Sequence, residues 1–327
     1  MGAVSELQNL GPIFRDVCLP IFLLMGFGWA VDRRFTLDLG SLVKLNIYLF
    51  VPAFLFVKVV GSPDAGSMGI RVTAFSACVI ASMYLASQIV GRLIGESKAE
   101  RQAMGMSTMF YNCGNFGIPV TALAFPVLGP GIHVWALMTM NLATFSIGML
   151  IAKSQGAAKE GEAGPESFVA RVAHGFTIFK QPSIIGILLA LLINWTGFEV
   201  EAITFVWKPV SFLAEALVAF ALVTLGVQLS KTQPPPIRGH LAWALILRLL
   251  GGPLVAAVIA KAFGFSSAEQ AVLILGASAP TAINTALLAH EFKADVGFAA
   301  AAVFYSTLLS IVTVTLVIAV LKSGLGG

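Results

Sequence analysis

The sequence predicts an all-α integral membrane protein of about ten transmembrane helices. Three observations predict it. Of its 327 residues, 57% are hydrophobic and 11% are charged, with a mean hydropathy of +0.90, where soluble domains carry roughly 25% charged residues. The apolar residues come in runs long enough to cross a bilayer, which takes about 20 residues each, and short charged breaks separate them. Two of the runs are interrupted halfway by Asn, Gly and Pro. The same numbers exclude other classes. Cys18, Cys78 and Cys113 all lie in apolar stretches, so there is no disulfide framework. The excess of 20 Lys+Arg over 16 Asp+Glu, net +4, is too small and scattered for nucleic-acid binding.

The runs fall near 12–31, 41–60, 70–91, 102–128, 132–152, 181–198, 208–230, 240–263, 268–290 and 295–321. The first has no basic leader, carries Arg15 and Asp16 at its start and ends in the bulky Trp29, so it reads as a helix and not a signal peptide. The second and third are bounded by basic residues, among them Arg33, Arg34 and Arg92. Ser97-Lys98-Ala99-Glu100-Arg101-Gln102-Ala103 opens the fourth, and Ser266-Ser267-Ala268-Glu269-Gln270-Ala271 opens the ninth. Between the fifth and sixth lies the polar stretch 153–180, a linker that divides a first five-helix repeat, 1–152, from a second, 181–327. Five spans separate the two similar openings, an odd number, so the repeats have opposite membrane orientation.

Orientation follows from the basic residues. One set of loops holds Arg33, Arg34, Arg92, Lys98, Arg101, Lys153, Arg171, Lys231 and Arg238, while the other side holds few. The positive-inside rule then makes the linker cytoplasmic and puts both termini outside, in a multi-pass membrane protein. Trp29, Trp135, Trp195, Trp207 and Trp243 fall near predicted span ends, where amphipathic rings prefer to sit.

The fourth run contains Tyr111-Asn112-Cys113-Gly114-Asn115-Phe116-Gly117-Ile118-Pro119, and the ninth contains Ser278-Ala279-Pro280-Thr281-Ala282-Ile283-Asn284. Gly costs a helix interior about 1 kcal/mol and Pro about 3. Both breaks lie about 16 Å from the starts of their runs, near mid-bilayer. Irregular backbone at that depth survives only where it is buried in protein or lines a wet cavity, so the two breaks are expected to face each other at one site. With Pro119 and Pro280 as first residues of the following half-helices, partially positive N-termini and the Asn amides would suit a carboxylate. The site expected from this reading comprises Asn112, Gly114, Asn115, Gly117, Pro119, Pro280, Thr281 and Asn284.

The chain from Arg248-Leu-Leu-Gly-Gly-Pro-Leu through Ala279-Pro280-Thr281-Ala282 and Leu288-Ala289-His290-Glu291-Phe292 resembles the C-terminal half of the auxin efflux carrier family, which includes plant PIN carriers and bacterial transporters of small carboxylates. Asn112 to Pro119, Lys44 to Phe56 and Leu225-Gly-Val-Gln-Leu229 are similar to further motifs of that family. The resemblance implies two inverted five-helix repeats whose broken fourth and ninth helices cross and bind the substrate carboxylate. It also implies a bundle of the fourth, fifth, eighth, ninth and tenth helices moving against a scaffold of the first, second, sixth and seventh. The short linker differs from the long loop of many plant members.

Charge inside a membrane costs at least about 2.5–3.5 kcal/mol per group on insertion scales. Glu215 and Arg248 lie at depths differing by about 7 Å in antiparallel runs, which predicts an ion pair tying the seventh and eighth helices. The alternatives are a proton-coupling role for Glu215, and Arg248 as cavity charge that attracts anions. No His-Glu-x-x-His or serine elbow is present, and Cys113 has no histidine expected at its depth, so it reads as a small apolar filler and the chain is not expected to be an enzyme. No cofactor or metal is called for. The expectation is a secondary transporter of small organic anions, mono- or dicarboxylates including auxin-like acids, working by alternating access. A membrane anion receptor or channel is the alternative. Its expected partners are the anion, the lipid bilayer, protons as the candidate coupling ion and a second copy in a homodimer, with no nucleic acid.

Overall fold

The computed structural model describes residues 12, 14–60, 62, 65–160, 181–232, 234–237 and 239–325. Residues 161–180 of the expected linker lie outside the described residues. In chain order the helices are α1 (Leu19–Phe35), α2 (Leu39–Val60), α3 (Ala65–Leu93), α4 (Lys98–Met109), α5 (Cys113–Ala124), α6 (Gly129–Gly156), α7 (Pro182–Thr196), α8 (Thr204–Lys231), α9 (Leu241–Ala262), α10 (Ser267–Ala277), α11 (Ile283–Glu291) and α12 (Val296–Leu325). Six of them, α2, α3, α6, α8, α9 and α12, are long and apolar enough to cross a membrane. The expected fourth run is divided into α4 and α5, and the ninth into α10 and α11. Twelve residues of helix rise about 18 Å, roughly half a bilayer.

Local chemistry explains where the short helices begin. Ser97 and Ser266 each form a capping box: the Ser97 amide donates to Glu100 Oε2 at 2.8 Å and the Ser266 amide to Glu269 Oε2 at 2.7 Å, while each serine hydroxyl accepts from the glutamate's own amide. The bonds from Ser97 pull the Glu100 carboxyl down to about 2, so this cap is charged at neutral pH. α1 ends at the left-handed Thr36, φ 51°, and the buried Asp32 carboxylate gathers the Leu37 amide at 2.8 Å, the Ser230 hydroxyl at 2.6 Å and the Lys231 ammonium at 2.9 Å. That cluster ties the ends of α1 and α8 together.

The helices pack in two groups. α8 lies along α1 and α2, and α7 lies on α2. α3, α4, α6, α9, α10 and α12 pack on one another, with α11 against α12. The third helix therefore joins the second group. Backbones touch where glycines allow it: a Cβ at Gly28 would overlap the Val223 carbonyl, and one at Gly226 would overlap the Met25 carbonyl, so α1 and α8 are in direct contact along two turns. Trp135, six residues from the start of α6, faces protein. It is buried against Gly69, whose missing side chain makes room for the indole.

The grouping also separates Glu215 from Arg248. Glu215 is exposed on α8, which packs in the first group, whereas Arg248 is 0% exposed on α9 in the second. The expected ion pair is not formed, because helices adjacent in sequence pack here against other partners.

Candidate functional site: the crossing of two broken helices

α4 stops at Met109 and passes directly into an extended stretch at Phe110, while α10 stops at Ala277 and turns at Ser278 before the chain extends up to Ala282. The two extended segments pair: the Asn112 amide donates to the Pro280 carbonyl at 2.7 Å and the Ala282 amide to the Phe110 carbonyl at 2.9 Å, around the Tyr111–Thr281 bridge. Backbone groups that the breaks remove from helical bonding satisfy one another in the buried interior.

Three π-turns bring further polar groups to this place. They span Asn46–Phe50, Cys113–Gly117 and Leu247–Gly251, and such wide turns redirect side chains that a regular helix would send elsewhere. Asn46, from α2, donates its Nδ2 to Asn115 Oδ1 at 2.6 Å and so links the first helix group to the break. Arg248 donates to the Thr108 carbonyl at 2.6 Å and to the Ala277 carbonyl, the last turns of α4 and α10, and its guanidinium carbon lies 5.2 Å from the Tyr111 ring centre. Asn112 caps α5 by accepting the Asn115 amide at 3.2 Å on Oδ1, which leaves its Nδ2 buried without a partner.

The sequence-predicted residues divide into several cases. Asn112 and Asn115 meet at the crossing. Gly114 is half-buried beside them, and Asn284 is half-buried in the first turn of α11. Thr281 is fully engaged in structure: its amide donates to Ser306 Oγ at 3.0 Å and its hydroxyl to the Ser107 carbonyl at 2.8 Å. Pro119 stands in the first turn of the α-helical part of α5, Ile118–Ala124, whereas Pro280 begins no helix. A π-turn at Cys113–Gly117 precedes that part, so α5 as a whole starts six residues before Pro119. Pro280 belongs to the extended link and offers its carbonyl to Asn112.

Gly117 has a packing role. His133 of α6 is buried between Gly117 and Gly276, where a Cβ on either would meet the imidazole, so both broken helices close around one ring. This corrects the expectation that no histidine reaches the depth of Cys113. His133 Nε2 lies 3.1 Å from Cys113 Sγ and 3.0 Å from the Cys113 carbonyl, because the short turn between α5 and α6 sets Gly117 and His133 side by side. A nitrogen that donates to the carbonyl has no lone pair for the thiol, so the contact is structural. Asn46 and His133 were missed. The signal available for Asn46 was a lone amide in an otherwise apolar run.

Between the groups lies a cavity of about 100 Å³, lined by Leu225 and Gln228 of α8, Thr232 just beyond it, Ala286 of α11, and Val303 and Thr307 of α12. Its lining residue Ala286 lies two positions beyond Asn284 along α11.

This is a multi-pass helical protein with paired, buried helix breaks, and its family puts it in the class of membrane transporters. The chain is a member of the membrane transport protein family, whose model matches residues 13–318, the group to which auxin efflux carriers are related. It is 22% identical to an uncharacterised transporter of Methanocaldococcus jannaschii over 92% of this chain and 96% of the relative, and 26% identical to another from Methanothermobacter thermautotrophicus with the same coverage. A protein of Rhizobium meliloti provisionally named a malonate transporter is 24% identical over 94% of this chain and 95% of that one. The family and these names point to a transporter and not an enzyme.

Proposed function

We propose that this protein is a secondary transporter of small organic anions, mono- or dicarboxylates, that works by alternating access and binds the substrate carboxylate at the crossing. The observation that carries this is the pairing of the two breaks, with Asn112 Nδ2 left buried and unpaired beside it. A buried donor without a partner costs about 1–3 kcal/mol, which a ligand oxygen would recover. The malonate name of one relative supports the same substrate class.

The proposal includes ten spans as two inverted five-helix repeats, 1–152 and 181–327, joined by a cytoplasmic linker, with both termini periplasmic in a bacterial plasma membrane. In favour are the matching capping boxes and near-equal lengths of α4 and α10, 12 and 11 residues, which fit breaks at one depth. The division into helix groups supports a moving bundle against a scaffold, with the Asn46–Asn115 bond and the cavity beside Gln228 at their boundary. Protons as coupling ion and a homodimer are further parts of the proposal.

Counterflow in proteoliposomes tests the reading. Protein preloaded with unlabelled malonate is expected to accumulate labelled malonate with saturation, whereas a channel would give non-saturating flux and a receptor none.

A further inference from the structure

We propose that Arg248 is a positioning residue that joins the C-terminal ends of α4 and α10 and thereby sets the crossing for one negative charge, so that the transported species is a monoanionic carboxylate. The inference rests on the carboxylate reading above and adds the charge state that the site selects.

Four half-helix ends meet at the crossing: the C-termini of α4 and α10, and the N-termini of α5 and α11. Each end carries about half an elementary charge, negative at a C-terminus and positive at an N-terminus. Left alone, the four would cancel. Arg248 changes that balance. Its guanidinium donates to Thr108 and Ala277, one carbonyl from each C-terminus, and it remains charged in any protein environment. Among the described residues, the groups that Arg248 bonds are the two backbone carbonyls and not a carboxylate, so its charge is not neutralised by an ion pair.

One positive charge against two half-negative ends leaves the two N-termini with a surplus of about one positive charge. One carboxylate balances it. A dianion would bring about one uncompensated negative charge into a buried place, which is unfavourable. One independent feature points to a ligand here, and a second shows how the guanidinium is accommodated. Asn112, 6% exposed, holds an unpaired donor at the N-cap of α5. Gly252, one turn beyond Arg248, leaves the space in which the guanidinium folds back toward Ala277, and a Cβ there would overlap Nη2.

The test uses the purified full-length chain and three probes of one shape: malonate at a pH where it carries two charges, malonamate with one and malonamide with none. By titration calorimetry malonamate is expected to bind at least about tenfold tighter than either neighbour, and malonate to tighten as pH falls through its second dissociation. Equal or tighter binding of the dianion would overturn the proposal with no variant needed. Arg248→Gln removes the charge and is expected to cut the preference for malonamate over malonamide by on the order of thirtyfold, for charges about 8 Å apart at an effective dielectric of about 20. Arg248→Lys is expected to keep most of that preference while binding every probe less well, because the fork is lost. A folded Arg248→Gln protein with the wild-type preference would sink the charge assignment while leaving the carboxylate site standing. If none of the probes binds wild type, the carboxylate reading itself has failed.

Discussion

Asn112 acts at both ends of its side chain: Oδ1 holds the Asn115 amide and Nδ2 is free. Asn112→Ala is therefore expected to lose a hydrogen bond to a charged ligand, about 1.5–3 kcal/mol, or roughly 10- to 150-fold in carboxylate affinity, together with a helix cap of about 1 kcal/mol. Asn115→Ala removes the bond to Asn46 and is expected to weaken binding while sparing the cap. Equilibrium binding on material that elutes as one folded species checks both, and two variants within about twofold of wild type would refute the amide role. Asn112 was legible from sequence because Asn, Gly and Pro together in an apolar run have no good structural reason except a break. His133 was not legible, since its depth depends on how tightly α5 turns into α6 and on two glycines 159 positions apart in the chain, Gly117 and Gly276.

Among the elements, α1 and α8 show what small residues do between helices in a bilayer, where close backbone packing takes the place of a hydrophobic driving force. Gly226 rests on the Met25 carbonyl, so Gly226→Leu must push the two helices apart and is expected to cost about 1–3 kcal/mol, as overpacking does. A lowered midpoint of thermal unfolding in detergent measures it. Gly26→Leu is the control, because nothing lies within 4 Å of a Cβ there and its midpoint is expected to stay put. Run boundaries and the shared openings of α4 and α10 could be read in advance, since capping is a local matter of Ser and Glu three residues apart. The π-turns at Asn46–Phe50 and Leu247–Gly251 carry no such local signature, and they decide where Asn46 and Arg248 point.

For the whole molecule, the proposed topology has a direct check. Cysteines placed at Ser167 in the linker and at Ser323 near the end of α12 are expected to differ in intact cells, with only the second reacting with an impermeant maleimide from outside. Labelling at Ser167 alone would mean the opposite orientation. The same scale explains the misplaced ion pair. Glu215 and Arg248 have compatible depths, but depth is one coordinate, and packing around the membrane normal puts α8 beside α1 and α2.

By itself, the sequence determined that the chain is a membrane protein, where its apolar runs lie, that two of them break at matching depth, and which family motifs it carries. These follow from local composition, because a bilayer core penalises any unsatisfied backbone or charged group wherever it occurs. Only the tertiary structure decided that the breaks pair through Tyr111 and Thr281, that Arg248 caps two half-helices in place of meeting Glu215, that Asn46 of α2 reaches Asn115, and that His133 fills the gap between Gly117 and Gly276. Each of those joins groups far apart in the chain, and which of them meet is set by how glycines and π-turns let whole helices approach and rotate.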